Sequence, residues 1–398
     1  MALARIRQLS AHEVGHTIGL AHNFAASSKG RSSVMDYPHP TLSLNNGEVD
    51  FTDAYDTKIG DWDKVSIAYS YSEFKTDEDA NLKSILNDAF NNGARFITDQ
   101  DARPLGSAHA YAHLWDNGSD VSVELENLLL IRKNAIANFS KDNIKSNQPY
   151  SVLEDVFVPL YFLHRYQTEG VAKVIGGLDY TYAIKDDGNT IVKRIPGKLE
   201  RKALASVIKT LSVEELAIPK KILNLFPPRA FNYGRTRESF KSKTGVAFDP
   251  FGAVETASSM TLGLLLHPER VTRLVQHKSL DSSQLGLVEV LDEVIVNSFQ
   301  KSNKDPYYQE LQNIVNYQVL NHLFHLSSNK NMYWQVNAIV NDKIDTISSL
   351  LSNSKATGIQ KIYQKDMIKM ISNFKKNPTK FKKPITPKIP DGSPIGNN

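Results

Sequence analysis

The chain has 398 residues, a net charge of +4, 41% apolar and 23% charged residues, and no cysteine. That balance belongs to a globular protein rather than a fibrous or disordered one, and the length allows two or three domains with sizeable cores. The missing thiols exclude disulfides, zinc fingers, iron–sulfur clusters and cysteine nucleophiles together, so any metal must be held by His, Asp, Glu or Tyr. Six lysines against one acid fall within residues 375–398, so the positive charge is local and nucleic-acid binding is not implied. No apolar run reaches the ~18 to 20 residues of a transmembrane helix, and the first residues lack the apolar stretch of a signal peptide.

In chain order, residues 3 to 22 read as a helix, with Leu3, Ile6, Leu9, Val14 and Ile18 among its apolar positions and Gly19 as its stop. A loop-rich stretch from Asn23 to Phe51 follows, punctuated by Pro38, Pro40 and Asn45-Asn46-Gly47, and helical spacing resumes from Thr57 to Tyr71. Helices are then predicted at 77–91, 120–140, 150–170, 197–211, 253–276, 283–300, 305–327, 332–353 and 358–374. The segment Ser151 to Tyr166 reads as core, with a kink or break at Pro159. Tyr180 to Ile184 and Thr190 to Ile195 alternate around a Lys185-Asp186-Asp187-Gly188-Asn189 turn and read as a β-hairpin, with Arg95 to Asp99 as a further short strand. The expected fold class is mainly α (α+β). Its expected divisions are 1–75, a helical region over 76–374 carrying the hairpin, and a Pro- and Lys-rich tail over 375–398.

The chemistry is concentrated at the start. His12-Glu13-Val14-Gly15-His16-Thr17-Ile18-Gly19-Leu20-Ala21-His22 fits HExxHxxGxxH at every fixed position. Residues four apart share a helix face, so His12 and His16 can offer two nitrogens to one tetrahedral zinc while Glu13 stands beside its open side. Gly19 can take the left-handed conformation that ends a helix and returns His22 as a third ligand. Three neutral ligands leave the zinc its full charge, which brings the pKa of a bound water toward about 7, and the adjacent carboxylate can carry the proton to a leaving amine. With this composition, chance assembly of the motif is on the order of two in a hundred thousand.

Thirteen residues beyond His22 lies Met35, within Ser33-Val34-Met35-Asp36-Tyr37. The zinc motif followed by a Ser-x-Met turn resembles the metzincin metalloproteases. By that resemblance Met35 is the apolar floor beneath the histidines, and Tyr37 stands where some members carry a tyrosine that approaches the zinc and stabilises the oxyanion; a buried tyrosine with a satisfied hydroxyl is the other reading. Residues 1–75 would then be the lower catalytic subdomain, formed by zinc helix, Met-turn and C-terminal helix. His22-Asn23-Phe24-Ala25-Ala26-Ser27, Asp99-Gln100-Asp101-Ala102-Arg103-Pro104, Leu114-Trp115-Asp116-Asn117-Gly118 and Gly392-Ser393-Pro394-Ile395-Gly396 are also similar to a group of large bacterial zinc-dependent metalloproteases with long helical C-terminal regions. Metzincins carry a twisted sheet ahead of the zinc helix whose edge pairs with the extended substrate. Only eleven residues precede His12, so the chain is expected to be the C-terminal part of a larger protease, partnered by a missing N-terminal subdomain. That leaves the activity of the isolated chain open.

Other polar residues fit plainer roles. His39 is expected in an exposed loop. His109 and His113 are four apart and could share a helix face, with a second metal site or a cleft-lining role as the sharper alternatives. His322 and His325 read as core or boundary histidines. Asp99, Asp101, Asp116 and Asp120 could attract calcium but lack a calcium-loop pattern, and turn or capping roles suffice. Asp53, Asp56, Asp61 and Asp63 suit the start of a helix.

The combined expectation is a zinc endopeptidase with His12, His16 and His22 as ligands, Glu13 as general base, Tyr37 as oxyanion partner, and Gly19 and Met35 in structural roles. Zinc is the expected cofactor and an extended polypeptide the expected substrate, with a secreted or periplasmic location implied by the resemblance. The rival expectations are a non-enzymatic helical interaction module with a structural zinc, and a zinc hydrolase of non-peptide amides.

Overall fold

Alanine, leucine, arginine and glutamine favour a helix over the first residues, and α1 runs Ala2–Thr17. It ends five residues short of the expected 22, at the turn made by Gly19. Gly19 takes φ +86°, the Gly19 amide donates to the His16 carbonyl at 3.0 Å, and the Leu20 amide donates to the Gly15 carbonyl at 3.0 Å. This pair of bonds is a Schellman closure, which satisfies the last carbonyls and turns the chain back under the helix. The computed structural model describes residues 1–382, 384, 389 and 390; the Gly392 to Gly396 stretch and much of the Pro- and Lys-rich tail lie outside the described residues.

Next come β1 (Ser43–Asn45) and β2 (Glu48–Asp50), an antiparallel pair with Leu44 opposite Val49. Asn46 and Gly47 between them have φ of 51° and 84°, the two positive values that a tight Asn-Gly hairpin needs; from the sequence these residues read only as loop punctuation. Then follow α2 (Asp61–Tyr71), α3 (Glu78–Asn91), α4 (Asp99–Ala102), α5 (Val121–Ala137), α6 (Leu153–Tyr161) and α7 (Arg165–Val174). The strand expected at Arg95 to Asp99 does not form, because Asp99 begins α4. The helix expected over 150–170 is two helices, and Pro159 lies inside the first rather than breaking it.

The second hairpin is shorter than expected, pairing β3 (Leu178–Tyr180) with β4 (Val192–Arg194). Beyond it lie α8 (Gly197–Lys209), α9 (Val213–Leu216), α10 (Lys220–Leu223), α11 (Pro250–Leu265), α12 (Pro268–Leu280), α13 (Leu287–Val296), α14 (Pro306–Ser328), α15 (Trp334–Ser352) and α16 (Gly358–Lys376). The single helix expected over 253–276 is split because Pro268 cannot continue α11 and instead occupies the first turn of α12. The described chain is mainly helical, and among the described residues no helix is long and apolar enough to cross a membrane.

Two compact units form. The first comprises Met1–Ala135 with Leu163–Ile195, the second Ile136–Phe162 with the described residues from Pro196 on. The core of the first gathers Phe24, Ala25, Ile97, Ala102, Ala112, Leu114 and Trp115. Lys173, fully buried on α7, donates to the carbonyls of Ala102 and Ala112 and so ties the irregular stretch after α4 to that core. The second unit packs α14 against α11 and α15, beside an aromatic cluster that includes Phe157, Tyr161, Phe162, Phe226 and Phe240.

Candidate metal centre

The first unit brings the three motif histidines to one point. The Nε2 atom of His16 lies 3.0 Å from Nε2 of His12 and 3.1 Å from Nε2 of His22. Each ring is oriented by its other nitrogen, since His12 Nδ1 donates to the Val34 carbonyl at 2.6 Å, His16 Nδ1 to the Leu20 carbonyl at 3.1 Å, and His22 Nδ1 to Asp99 Oδ2 at 2.9 Å. Carbonyl and carboxylate oxygens only accept, so the proton sits on Nδ1 and the lone pair on Nε2. Burial, the leading cause, pushes the pKa of His12 and of His22 below the usual histidine value and favours the neutral, ligating form. Three facing lone pairs repel one another unless something positive lies between them. Tetrahedral zinc, with bonds of about 2.0 to 2.1 Å, requires nitrogens roughly 3.3 Å apart, close to the spacing found. Among the described residues this is the one group of three or more His, Cys, Asp or Glu suited to a metal ion.

The chain that follows packs against α1. Met35, buried, sets its thioether against the helix at Gly15, where a β-carbon would stand 2.3 Å from Sδ. The turn around it is fastened from both sides. The Asn23 amide donates to the Met35 carbonyl at 3.0 Å, and Asp63, 1% exposed, accepts from Ser33 Oγ at 2.6 Å, from the Val34 amide at 2.9 Å and from the Gly60 amide at 2.6 Å. From the sequence, Asp63 reads only as a charge at a helix start. It does sit in the first turn of α2, yet it also ties that helix to the turn that carries Met35.

Tyr37 stands over the histidines, its ring centroid 5.3 Å from that of His12 and 4.8 Å from that of His22. Trp115 stacks on its far side at 5.8 Å, and the Trp115 amide donates to the Tyr37 carbonyl at 2.8 Å. Trp115 takes φ +58° to do so, a conformation that costs a non-glycine residue on the order of 1 to 2 kcal/mol. The Tyr37 hydroxyl has no hydrogen-bond partner among the described residues, and neither has the exposed carboxylate of Glu13.

The remaining candidates take other places. Asp99 is drawn into the centre by His22, and its other oxygen accepts from Arg103 Nε at 2.5 Å. Asp101 accepts from the hydroxyls of Tyr180 and Tyr182, Asp120 from the amides at the start of α5, and Asp116 is buried, its pKa pushed by that burial to about 7. Asp99, Asp101 and Asp120, three of the four carboxylates considered for calcium, are thus engaged separately. His39 is not an exposed loop residue: it is partly buried, its Nδ1 faces the Pro40 carbonyl at 3.2 Å, and burial lowers its pKa to about 4. His109 and His113 are buried in irregular chain rather than on a helix face, with His109 Nε2 2.8 Å from the Tyr180 carbonyl. His322, on α14, pairs with Ser259 Oγ at 3.0 Å.

Beside the centre, Leu20 and Ala21 form one wall of a cavity of about 610 Å³ whose other walls include Trp62, Leu86, Phe90 and Tyr182. Its lining is mostly apolar.

Among curated proteins and solved structures, none matches the chain. The profile of a family described as Met-zincin matches residues 1–306, more than half of the sequence and all of the site above. Three clustered histidines on HExxHxxGxxH spacing, with a buried methionine packed on the same helix at Gly15, agree with that description, and with the match this extensive the chain belongs to the Met-zincin family, a metzincin-type family of zinc metalloproteases.

Proposed function

We propose that the chain carries the catalytic centre of a zinc-dependent endopeptidase, with His12, His16 and His22 as the metal ligands. The convergence of three Nε2 atoms, those of His12 and His22 lying 3.0 and 3.1 Å from that of His16, with each ring fixed by an acceptor on Nδ1, is the observation that carries this reading. Zinc, when bound, supplies Lewis-acid activation of a water molecule and of the scissile carbonyl. Glu13, next to the first ligand and unpartnered, takes the proton from the attacking water and delivers it to the amine as the C–N bond breaks. The Tyr37 hydroxyl donates to the carbonyl oxygen as negative charge develops there. Met35 and Gly19 act structurally, the one as the floor on which the histidines rest and the other as the turn that returns His22. The cavity beside Leu20 and Ala21 has room for a bulky apolar side chain of the substrate.

The test is hydrolysis of a peptide library by the zinc-loaded protein, with and without a chelator, alongside Glu13→Gln. Chelator-sensitive cleavage enriched next to large apolar residues, reduced about 100-fold or more in Glu13→Gln while zinc stays bound, is the expected result. Cleavage that survives both the chelator and the substitution would overturn the assignment. Release of small amides without any peptide cleavage would replace the substrate class.

A further inference from the structure

His12 and His16 take backbone carbonyls as the partners of their second nitrogens, whereas His22 takes the side chain of a residue 77 positions away. From that asymmetry we infer that Asp99 is a positioning residue of the metal centre, its carboxylate fixing the tautomer and direction of His22, with Arg103 holding the carboxylate in turn. The inference rests on the reading of the three histidines as metal ligands.

A carboxylate in this place does what a carbonyl does and more. The bond from His22 Nδ1 is charge-assisted, so it is stronger than a bond to a neutral acceptor and makes the opposite nitrogen a better donor to a cation. Asp99 is itself overdetermined. Its Oδ2 also accepts from Thr98 Oγ1 at 3.1 Å, and its Oδ1 accepts from Arg103 Nε, four residues on and close enough to turn the carboxylate toward His22. Both residues belong to a segment locked to the chain that immediately follows the third histidine. The Phe24 amide donates to the Ile97 carbonyl at 2.8 Å, the Ile97 amide donates to Asn23 Oδ1 at 3.2 Å, and Asn23 Nδ2 donates to the Arg95 carbonyl at 2.8 Å. Residues 95–103 therefore reach His22 along a fixed track.

The same segment reaches Tyr37. The Arg103 guanidinium lies 5.6 Å from the ring centroid of Tyr37 and 5.6 Å from that of Phe24, within range of a cation–π contact. One ion pair thus steadies the third histidine with its acid and touches the tyrosine above it with its base. In this account the metal centre is complete only when chain well beyond the zinc motif has folded against it.

The experiment is zinc affinity of the full chain by chelator competition, for the wild type, Asp99→Ala, Asp99→Asn and Arg103→Ala, with ¹⁵N resonances of His22 recorded on the metal-free proteins. Asp99→Ala is expected to weaken zinc binding about 10- to 100-fold and to let His22 populate both tautomers. Asp99→Asn keeps an oxygen for Nδ1–H but loses the charge, so it should fall between the two and hold the wild-type tautomer. Arg103→Ala should lose less than Asp99→Ala. If Asp99→Ala fails to fold, Asp99→Asn carries the comparison, and wild-type affinity in it would refute the role of the charge. Wild-type affinity and tautomer in a folded Asp99→Ala would overturn the whole proposal while leaving the three ligands intact. A wild-type chain that binds no zinc would instead overturn the metal reading itself.

Discussion

The sulfur of Met35 occupies the place that a side chain on Gly15 would need, since a β-carbon there would come within 2.3 Å of it. Helix and turn interlock at that contact, one residue before His16. Alanine in an exposed helix is worth up to about 1 kcal/mol over glycine, but here it meets a sulfur that is itself buried and has little room to yield. Gly15→Ala is therefore expected to destabilise the protein by about 1 to 3 kcal/mol, as overpacked cores do, while the near-isosteric Met35→Leu costs less than about 1.5 kcal/mol. Urea denaturation measures both. A Gly15→Ala protein more stable than the wild type would show that the contact does not constrain the helix.

Asp63 gives a second prediction. Its carboxylate satisfies one hydroxyl and two amides, two of the three on the turn that carries Met35. Removing a buried acceptor leaves its donors unpaired at about 1 to 3 kcal/mol each. Asp63→Ala should therefore lower stability by roughly 3 kcal/mol or more, with faster amide exchange at Val34 as the local sign. If Asp63 served only the start of α2, the loss would be about 1 kcal/mol and Val34 would be unaffected.

Two buried groups tilt stability against pH in opposite directions. Burial lowers the His109 pKa to about 4, so the unfolded chain binds the extra proton, and the folded state loses stability as pH falls from about 6.5 toward 4. Burial, aided by Glu124, raises the Asp116 pKa to about 7, so here the folded chain holds the extra proton, and stability is lost as pH rises from about 4 toward 7. In the wild type these two slopes oppose each other. His109→Gln should remove the first, making stability fall more steeply with rising pH, and Asp116→Asn should remove the second, making it rise with pH. Each change should amount to a few kcal/mol over that window. Thermal melts between pH 4 and 7 would contradict the account if both variants kept the wild-type slope.

What the sequence revealed was what short-range geometry encodes. The spacing of His12 and His16 is a property of the helix itself, and Gly19 announces the turn that brings back His22, so the cluster of three histidines could be read from eleven residues. Asp99 could not be paired with His22 in that way, because 77 residues separate them and only the packing of Ile97 against Phe24 brings them together. Asp63 was visible as a helix-start acid while its bond to Ser33 was not, for the same reason. Pattern reading also misplaced elements where one residue decides the outcome. Pro268 split a helix whose periodicity ran straight through it, and the Asn46-Gly47 turn formed a hairpin too short for alternation to reveal. His109 and His113 had helical spacing but no helix, lying in a stretch held instead by Lys173 and by pairing of the Ala110 amide with the Leu178 carbonyl.

The most direct test of the central claim is the metal content of the purified chain after equilibration with zinc and exhaustive removal of free ion, read by mass spectrometry beside a His12→Ala/His16→Ala/His22→Ala protein. The account predicts one zinc per wild-type chain and none in the triple variant. A wild-type chain without zinc, or a triple variant that keeps it, would contradict the assignment of those three imidazoles.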